Sequence, residues 1–212
     1  MTNKIINIIV GPKLEPLIKR CIQSWNKLTK HGFEIKLWND EIINNFIRKH
    51  YFFALDAVLN ARNHAEAADI ARYLIIHHYG GYYVDWDIEL LDELKFIQLI
   101  EKLSSGFLII DPLNGTLASE CFSAKENELF LLSLVKDIIE IYNENKRDMF
   151  KTPQYSGPYR MRDSLVKHLN TSQKIISVKE IFAYDYSEIR FKDKIKDRQQ
   201  PLIHYWIHSW IK

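Results

Sequence analysis

The chain has 212 residues, of which 47% are hydrophobic, 26% charged and 13% aromatic, and its formal net charge is +2. That balance supports a real core, argues against disorder, suits one substantial domain, and gives no support to nucleic-acid binding. Two distant cysteines, Cys21 and Cys121, exclude a disulfide framework, and apolar runs such as LFLLSLV are far too short to span a bilayer. No signal-peptide pattern follows Met1. The expectation is a cytoplasmic protein with no transmembrane segment, peripheral membrane contact remaining open.

KIINIIVG is β-rich and stops at Gly11-Pro12, a strand followed by a turn. Leu14, Leu17, Ile18, Cys21, Ile22 and Trp25 then fall at helical spacing. FEIKLW alternates and predicts a second strand, after which Asn39-Asp40 opens a helix through EIINNFIRKHY. ALDAVLNARNHAEAADIARYLIIHHYG reads as one Ala-rich helix closed by Gly80-Gly81. YYVDWDIEL predicts a strand, GFLIID another, and ELFLLSLVKDIIEIYNEN a long amphipathic helix. TPQYSGPYRMRDSLVKHL reads as a turn and a helix, RFKDKIKDRQQ as a solvated loop or flap, and the tail holds short strands around KIISV and PLIHYWIHSW. Strands alternating with helices predict an α/β sheet covered on both faces, and residues 1–212 read as one domain, either alone or as a module of a longer polypeptide.

The chemistry concentrates in YGGYYVDWDIEL. If the strand persists, Asp85 and Asp87 project to the same face. Two adjacent carboxylates repel and desolvate badly, and a divalent cation would neutralise them. The strand's carboxyl end is also where open α/β sheets gather ligands. From spacing alone, two solvated acids at a strand that has left the core is the favoured reading, and the context of the preceding helix shifts the balance. Asp69 and Arg72 share a helix face, either as a surface ion pair or as a pair aimed inward at a phosphate or sugar oxygen.

At these residues the chain resembles a known family. AEAADIARYLIIHHYGGYYVDWDIEL is similar to the sugar-binding Asp-X-Asp region of glycosyltransferases related to yeast initiating mannosyltransferases, bacterial capsular-polysaccharide transferases and large clostridial glucosylating toxins. The pattern Asp-x-x-Arg, then Gly-Gly-x-Tyr-x-Asp-x-Asp, falls here on Asp69, Arg72, Gly80, Gly81, Tyr83, Asp85 and Asp87. The opening segment through LWND, the Ser156-Gly157-Pro158 tripeptide and the closing IHYWIHSW resemble the same family, with NGTLASECFSAKENE the loosest part.

The resemblance implies a GT-A fold, a single nucleotide-sugar-binding α/β domain with a mixed central sheet flanked by helices, using Mn2+ or Mg2+. It implies that Asp85 reads ribose and sugar hydroxyls near the metal, that Asp87 ligates the metal, and that His204 supplies a third ligand. Asp69 and Arg72 would hold the transferred sugar, Tyr83 would line the donor pocket, and Ser209 and Trp210 would close over the diphosphate. Ile9 stands where the toxins carry an aromatic, which leaves base binding to Val10, Gly11 and the backbone at Pro12. Lys13 is either a phosphate contact or a solvated lysine. Asp111, Glu120 and His208 are candidates for the sugar or acceptor side, while Trp38 and Trp86 are expected in the core.

The implied reaction is metal-dependent, retaining transfer of a hexose-type sugar from a nucleotide sugar, UDP-linked in preference to GDP-linked. The implied acceptor is a glycan or glycoprotein of a surface or virion polysaccharide. The competing readings are an effector that glycosylates host protein and a metal-dependent phosphohydrolase.

Overall fold

The computed structural model describes residues 2–112, 114–193 and 199–207. The strands are β1 (Ile5–Ile9), β2 (Glu34–Trp38), β3 (Gly81–Val84), β4 (Ile88–Leu90), β5 (Gly106–Ile110), β6 (Cys121–Ala124), β7 (Lys174–Ser177) and β8 (Leu202–His204). The helices are α1 (Pro16–Ser24), α2 (Asp40–His50), α3 (Leu55–Leu59), α4 (His64–Tyr79), α5 (Glu93–Glu101), α6 (Leu129–Asn143), α7 (Thr152–Tyr155), α8 (Pro158–His168) and α9 (Val178–Ile181). Among the described residues, six strands form a central sheet in the order β2-β1-β3-β6-β5-β7. All neighbours pair in parallel except those of β6, which runs antiparallel to both β3 and β5. The expected mixed α/β sheet flanked by helices is therefore borne out.

Side-chain alternation splits the core into two clusters, one on each face of the sheet. Tyr83 of β3 faces a cluster with Tyr73, Phe122, Phe130 and Tyr155, whereas Tyr82 and Val84 face one with Trp25, Phe96 and Phe107. Helix α4 is buried almost all round, so even its polar residues Glu66, Asp69 and Arg72 lie inside. Asn7 of β1, fully buried, donates to the Tyr82 carbonyl at 3.4 Å and accepts from the Trp38 indole at 3.0 Å. Gly80 and Gly81 hold φ of +62° and +95°, and a Cβ on Gly81 would lie 2.5 Å from the Ile5 carbonyl oxygen. A left-handed backbone and a close strand approach both require glycine there.

Two expected elements divide. The Ala-rich stretch is not one helix: α3 ends at Leu59 with Asn60 as its cap, and α4 begins after Asn63, whose side chain accepts from the Glu66 amide at 2.9 Å. Local capping by asparagine outcompetes helix continuation. The strand through YYVDWDIEL stops at Val84, and a turn closed by the Ile88 amide on the Asp85 carbonyl (3.0 Å) carries the chain into β4. Residues 194–198 of the charged stretch lie outside the described residues. Among the described residues, no helix is long and apolar enough to cross a membrane.

Helices α6 and α8 are tied by the nearly buried carboxylate of Asp137. It accepts from Lys167 at 2.6 Å, from His168 Nε2 at 2.9 Å and from the Ser164 hydroxyl. Burial works against this carboxylate, but those partners outweigh it and hold its pKa below the ordinary value. Its stabilising contribution is therefore complete above the unfolded value of about 4 and is lost as pH falls through the lower folded value. Asp137→Asn should cost about 1–2 kcal/mol at pH 7, kept modest because Lys167 is exposed. Urea melts at pH 7 and pH 3 check this: the gap from wild type should narrow at pH 3, and an unchanged gap would refute the assignment.

Candidate active site

The carboxyl ends of β1 and β3 open into a cleft of ≈ 1480 Å³. The turn after β3 presents Asp85 and Asp87, and pairing of β4 with β8 sets His204 opposite Ile88. Side-chain ligand atoms of Asp85, Asp87 and His204 all lie within 4.8 Å of one another. The acids thus converge through a turn rather than through alternation along one strand.

The electrostatics of the group are strained by burial. His204 Nε2 lies 3.3 Å from Asp87 Oδ1, and Nδ1 lies 3.7 Å from Glu120 Oε1. Burial alone would lower the His204 pKa, but the surrounding Asp87, Glu120 and Asp85 hold it above the ordinary histidine value. Burial also opposes ionisation of Asp87, yet His204 and the Ile207 amide keep its pKa low. Asp85 and Glu120 are pushed up, chiefly by burial. His204 Nδ1 is buried with no hydrogen-bond partner among the described residues. Two carboxylates, one imidazole and an unpartnered ring nitrogen fit a hard or borderline divalent cation.

Beside this group lies Arg72, buried on α4. Its guanidinium sits 3.0 Å from Asp69 Oδ1 and 3.5 Å from Asp85 Oδ1, and it donates to the Ser119 carbonyl at 2.8 Å. It stacks 4.8 Å from the centre of the Tyr83 ring, whose hydroxyl donates to Asp85 Oδ1 at 2.6 Å. Burial pushes Asp69 up to about 6 despite Arg72 and a 2.7 Å hydrogen bond from Ser156 Oγ. The Ser-Gly-Pro segment is seated directly on that carboxylate: a Cβ on Gly157 would lie 3.3 Å from Asp69 Oδ2.

The cleft is lined by Ile9, Gly11, Pro12, Lys13, Asp69, Arg72, Tyr83, Asp85, Asp87, Asp111, Glu120 and His204, so most of the sequence candidates meet there. Val10 does not line it: its side chain packs on the second apolar cluster and its amide bonds to the Trp38 carbonyl at 2.8 Å. Glu120 sits beside His204, within the charged group. His208, Ser209 and Trp210 lie outside the described residues. Trp38 is buried in the core as expected. Trp86 packs against the second apolar cluster, in line with the core expectation, but its half-buried ring also forms part of the cleft wall, where a Cβ on Gly11 would meet it at 2.8 Å. Sequence reasoning passed over Arg62, His64, Trp206 and Ile207, which also line the cleft. Of these, Trp206 and Ile207 lay within a motif singled out from the sequence, the closing IHYWIHSW.

The comparisons with known proteins agree with this geometry. Residues 16–105 match the family described as glycosyltransferase sugar-binding region containing DXD motif. The chain is 25% identical over 158 residues to inositol phosphoceramide mannosyltransferase 1 of Schizosaccharomyces pombe, covering 73% of this chain and 47% of that protein. It is 45% identical over 51 residues to mannosyl phosphorylinositol ceramide synthase SUR1 of Saccharomyces cerevisiae, covering 24% of this chain and 13% of that one. The chain thus spans about half the length of the first of these relatives. Among solved structures, a glycosyltransferase involved in glycosylation of the major capsid of PBCV-1 superposes with a TM-score of 0.57 at 10% identity, covering 95% of this chain and 93% of that one. Residues 16–105 are thus similar to the DXD sugar-binding region of glycosyltransferases and the fold is GT-A-like, so the resemblance drawn from the sequence is borne out.

Removing one member of a buried ion cluster leaves the others uncompensated. Arg72→Ala should lower unfolding free energy by about 3–5 kcal/mol in urea melts. Arg72→Lys should recover little of this, because a single ammonium cannot serve Asp69, Asp85 and the Ser119 carbonyl together. A loss under about 1 kcal/mol for Arg72→Ala would refute the cluster's role in stability.

Proposed function

We propose that this chain is a single glycosyltransferase domain, spanning residues 1–212, that moves a hexose-type sugar from a nucleotide sugar to a glycan or glycoprotein acceptor with retention of configuration. The observation that carries the reading is the convergence of Asp85, Asp87 and His204 beside the buried Asp69–Arg72 pair in the lining of the cleft. UDP-sugars are the favoured donors and GDP-sugars the alternative, and the relatives' names bring mannose into the set of sugars to test. The acceptor class follows a surface or virion glycan. Two buried free cysteines, Cys21 and Cys121, fit a reducing, cytoplasmic setting.

Asp85, Asp87 and His204 would hold Mn2+ or Mg2+, which when bound supplies positive charge to the donor diphosphate and to the departing phosphate oxygen. Arg72 adds a fixed guanidinium beside that charge, oriented by Asp69, the Ser119 carbonyl and the Tyr83 ring. Tyr83 holds the Asp85 carboxylate in one rotamer, leaving its other oxygen free for ribose or sugar hydroxyls. Asp69, one oxygen held by Arg72 and the other by Ser156, would accept from a sugar hydroxyl. The Gly11–Lys13 loop and Trp86 form the wall against which the nucleoside would rest.

A thermal-shift panel of UDP- and GDP-sugars with and without Mn2+ tests the proposal. The right donor at about 100 times its Kd should add about 2.7 kcal/mol of stability, and only when Mn2+ is present. Asp87→Ala should abolish the Mn2+-dependent part. No shift with any donor, or an unchanged shift in Asp87→Ala, would overturn the assignment.

A further inference from the structure

Past His204 the chain turns back over the charged group. The Tyr205 amide donates to the Asp87 carbonyl at 3.1 Å, and its hydroxyl donates to Glu89 at 2.6 Å while accepting from Arg20 at 2.9 Å. That residue is pinned on the outer side. Trp206 then adopts φ of +47°, a left-handed conformation rare for a bulky side chain.

Two contacts follow from that kink. The indole lies against the His204 imidazole, with ring centroids 4.2 Å apart and planes 30° apart. Tyr186 meets the indole edge-on at 5.8 Å, and Phe182 lies 6.4 Å away. The reversed backbone also aims the Ile207 amide at Asp87 Oδ2, 2.7 Å away. Phe182 also meets the His204 ring, at 5.9 Å, but Trp206 makes the closer stack and through its backbone steers the carboxylate as well. A backbone outlier kept beside a charged cluster needs a compensating gain, and ligand orientation is one the geometry supplies.

We propose that Trp206 is a positioning residue that presets His204 and Asp87 for a divalent cation before any donor binds. This rests on the cation-binding reading of Asp85, Asp87 and His204 given above. Ring and backbone contribute separately, so substitutions separate them. Trp206→Phe keeps an aromatic face against His204. Trp206→Gly removes the ring but adopts positive φ without strain. Trp206→Ala loses the ring and disfavours the kink.

Mn2+ uptake by the donor-free protein, followed through the electron paramagnetic resonance signal of the free ion, gives the readout. Thermal melts confirm that each variant is folded. Mn2+ affinity should fall about tenfold or more in Trp206→Ala. It should fall by a smaller factor in Trp206→Gly and be largely restored in Trp206→Phe. A folded Trp206→Gly and a folded Trp206→Ala that both bind Mn2+ as wild type does would overturn the role of Trp206 while leaving the proposed function intact. Wild type that takes up no Mn2+, with or without a nucleotide sugar, would instead remove the cation reading and this inference with it.

Discussion

A guanidinium buried inside a protein must find acceptors for its donors, and that requirement organises the centre of this molecule. Arg72 meets it by drawing on four parts of the chain at once: Asp69 on its own helix, Asp85 after β3, the Ser119 carbonyl before β6, and the Tyr83 ring. Its helix cannot slide against the sheet without leaving charges unpaired. The packing of α4 and the placement of the acidic turn are therefore one problem with one solution. The Ser156 hydroxyl extends the network to the segment before α8, so the far wall of the cleft is registered to the same cation.

The second organising feature is the way the acidic turn and the tail meet. β4 and β8 form a ribbon of only three residue pairs, and it sets Ile88 opposite His204. The chemistry of the site thus depends on a short ladder between segments far apart in sequence. It is reinforced on the outside by the Tyr205–Glu89–Arg20 contacts and on the inside by the amides that reach Asp87.

Much of this was legible in the sequence, because local signals carried it. The α/β class followed from alternating periodicities, and the Asp69, Arg72, Asp85 and Asp87 set from spacing together with a family pattern. The Gly80-Gly81 pair was visible as a helix stop; its closeness to the Ile5 carbonyl was not. What escaped were features that depend on non-local competition. A helix through Asn60 and Asn63 was reasonable by propensity and lost to side-chain capping. The strand through Asp87 was reasonable by composition and lost to a turn, which leaves Trp86 packed on the second core cluster with one side of its ring on the cleft wall. The strand order β2-β1-β3-β6-β5-β7, with β6 reversed, leaves no mark on composition. Nor does any residue pattern announce a tryptophan at positive φ.

The ribbon between β4 and β8 also changes what a bound cation would be to the chain. Ligands from Asp87 and His204 would join points separated by 117 residues (204 − 87), and the Ile207 amide, three residues beyond His204, already bonds to Asp87. Such an ion would act as a reversible cross-link, removing loop entropy from the unfolded chain much as a covalent bridge does, but only while its ligands are deprotonated. In a protein whose two cysteines are buried and unpaired, that staple would be set by ion supply instead of redox state. The last strand would then be held most firmly to the rest of the fold whenever the site is loaded.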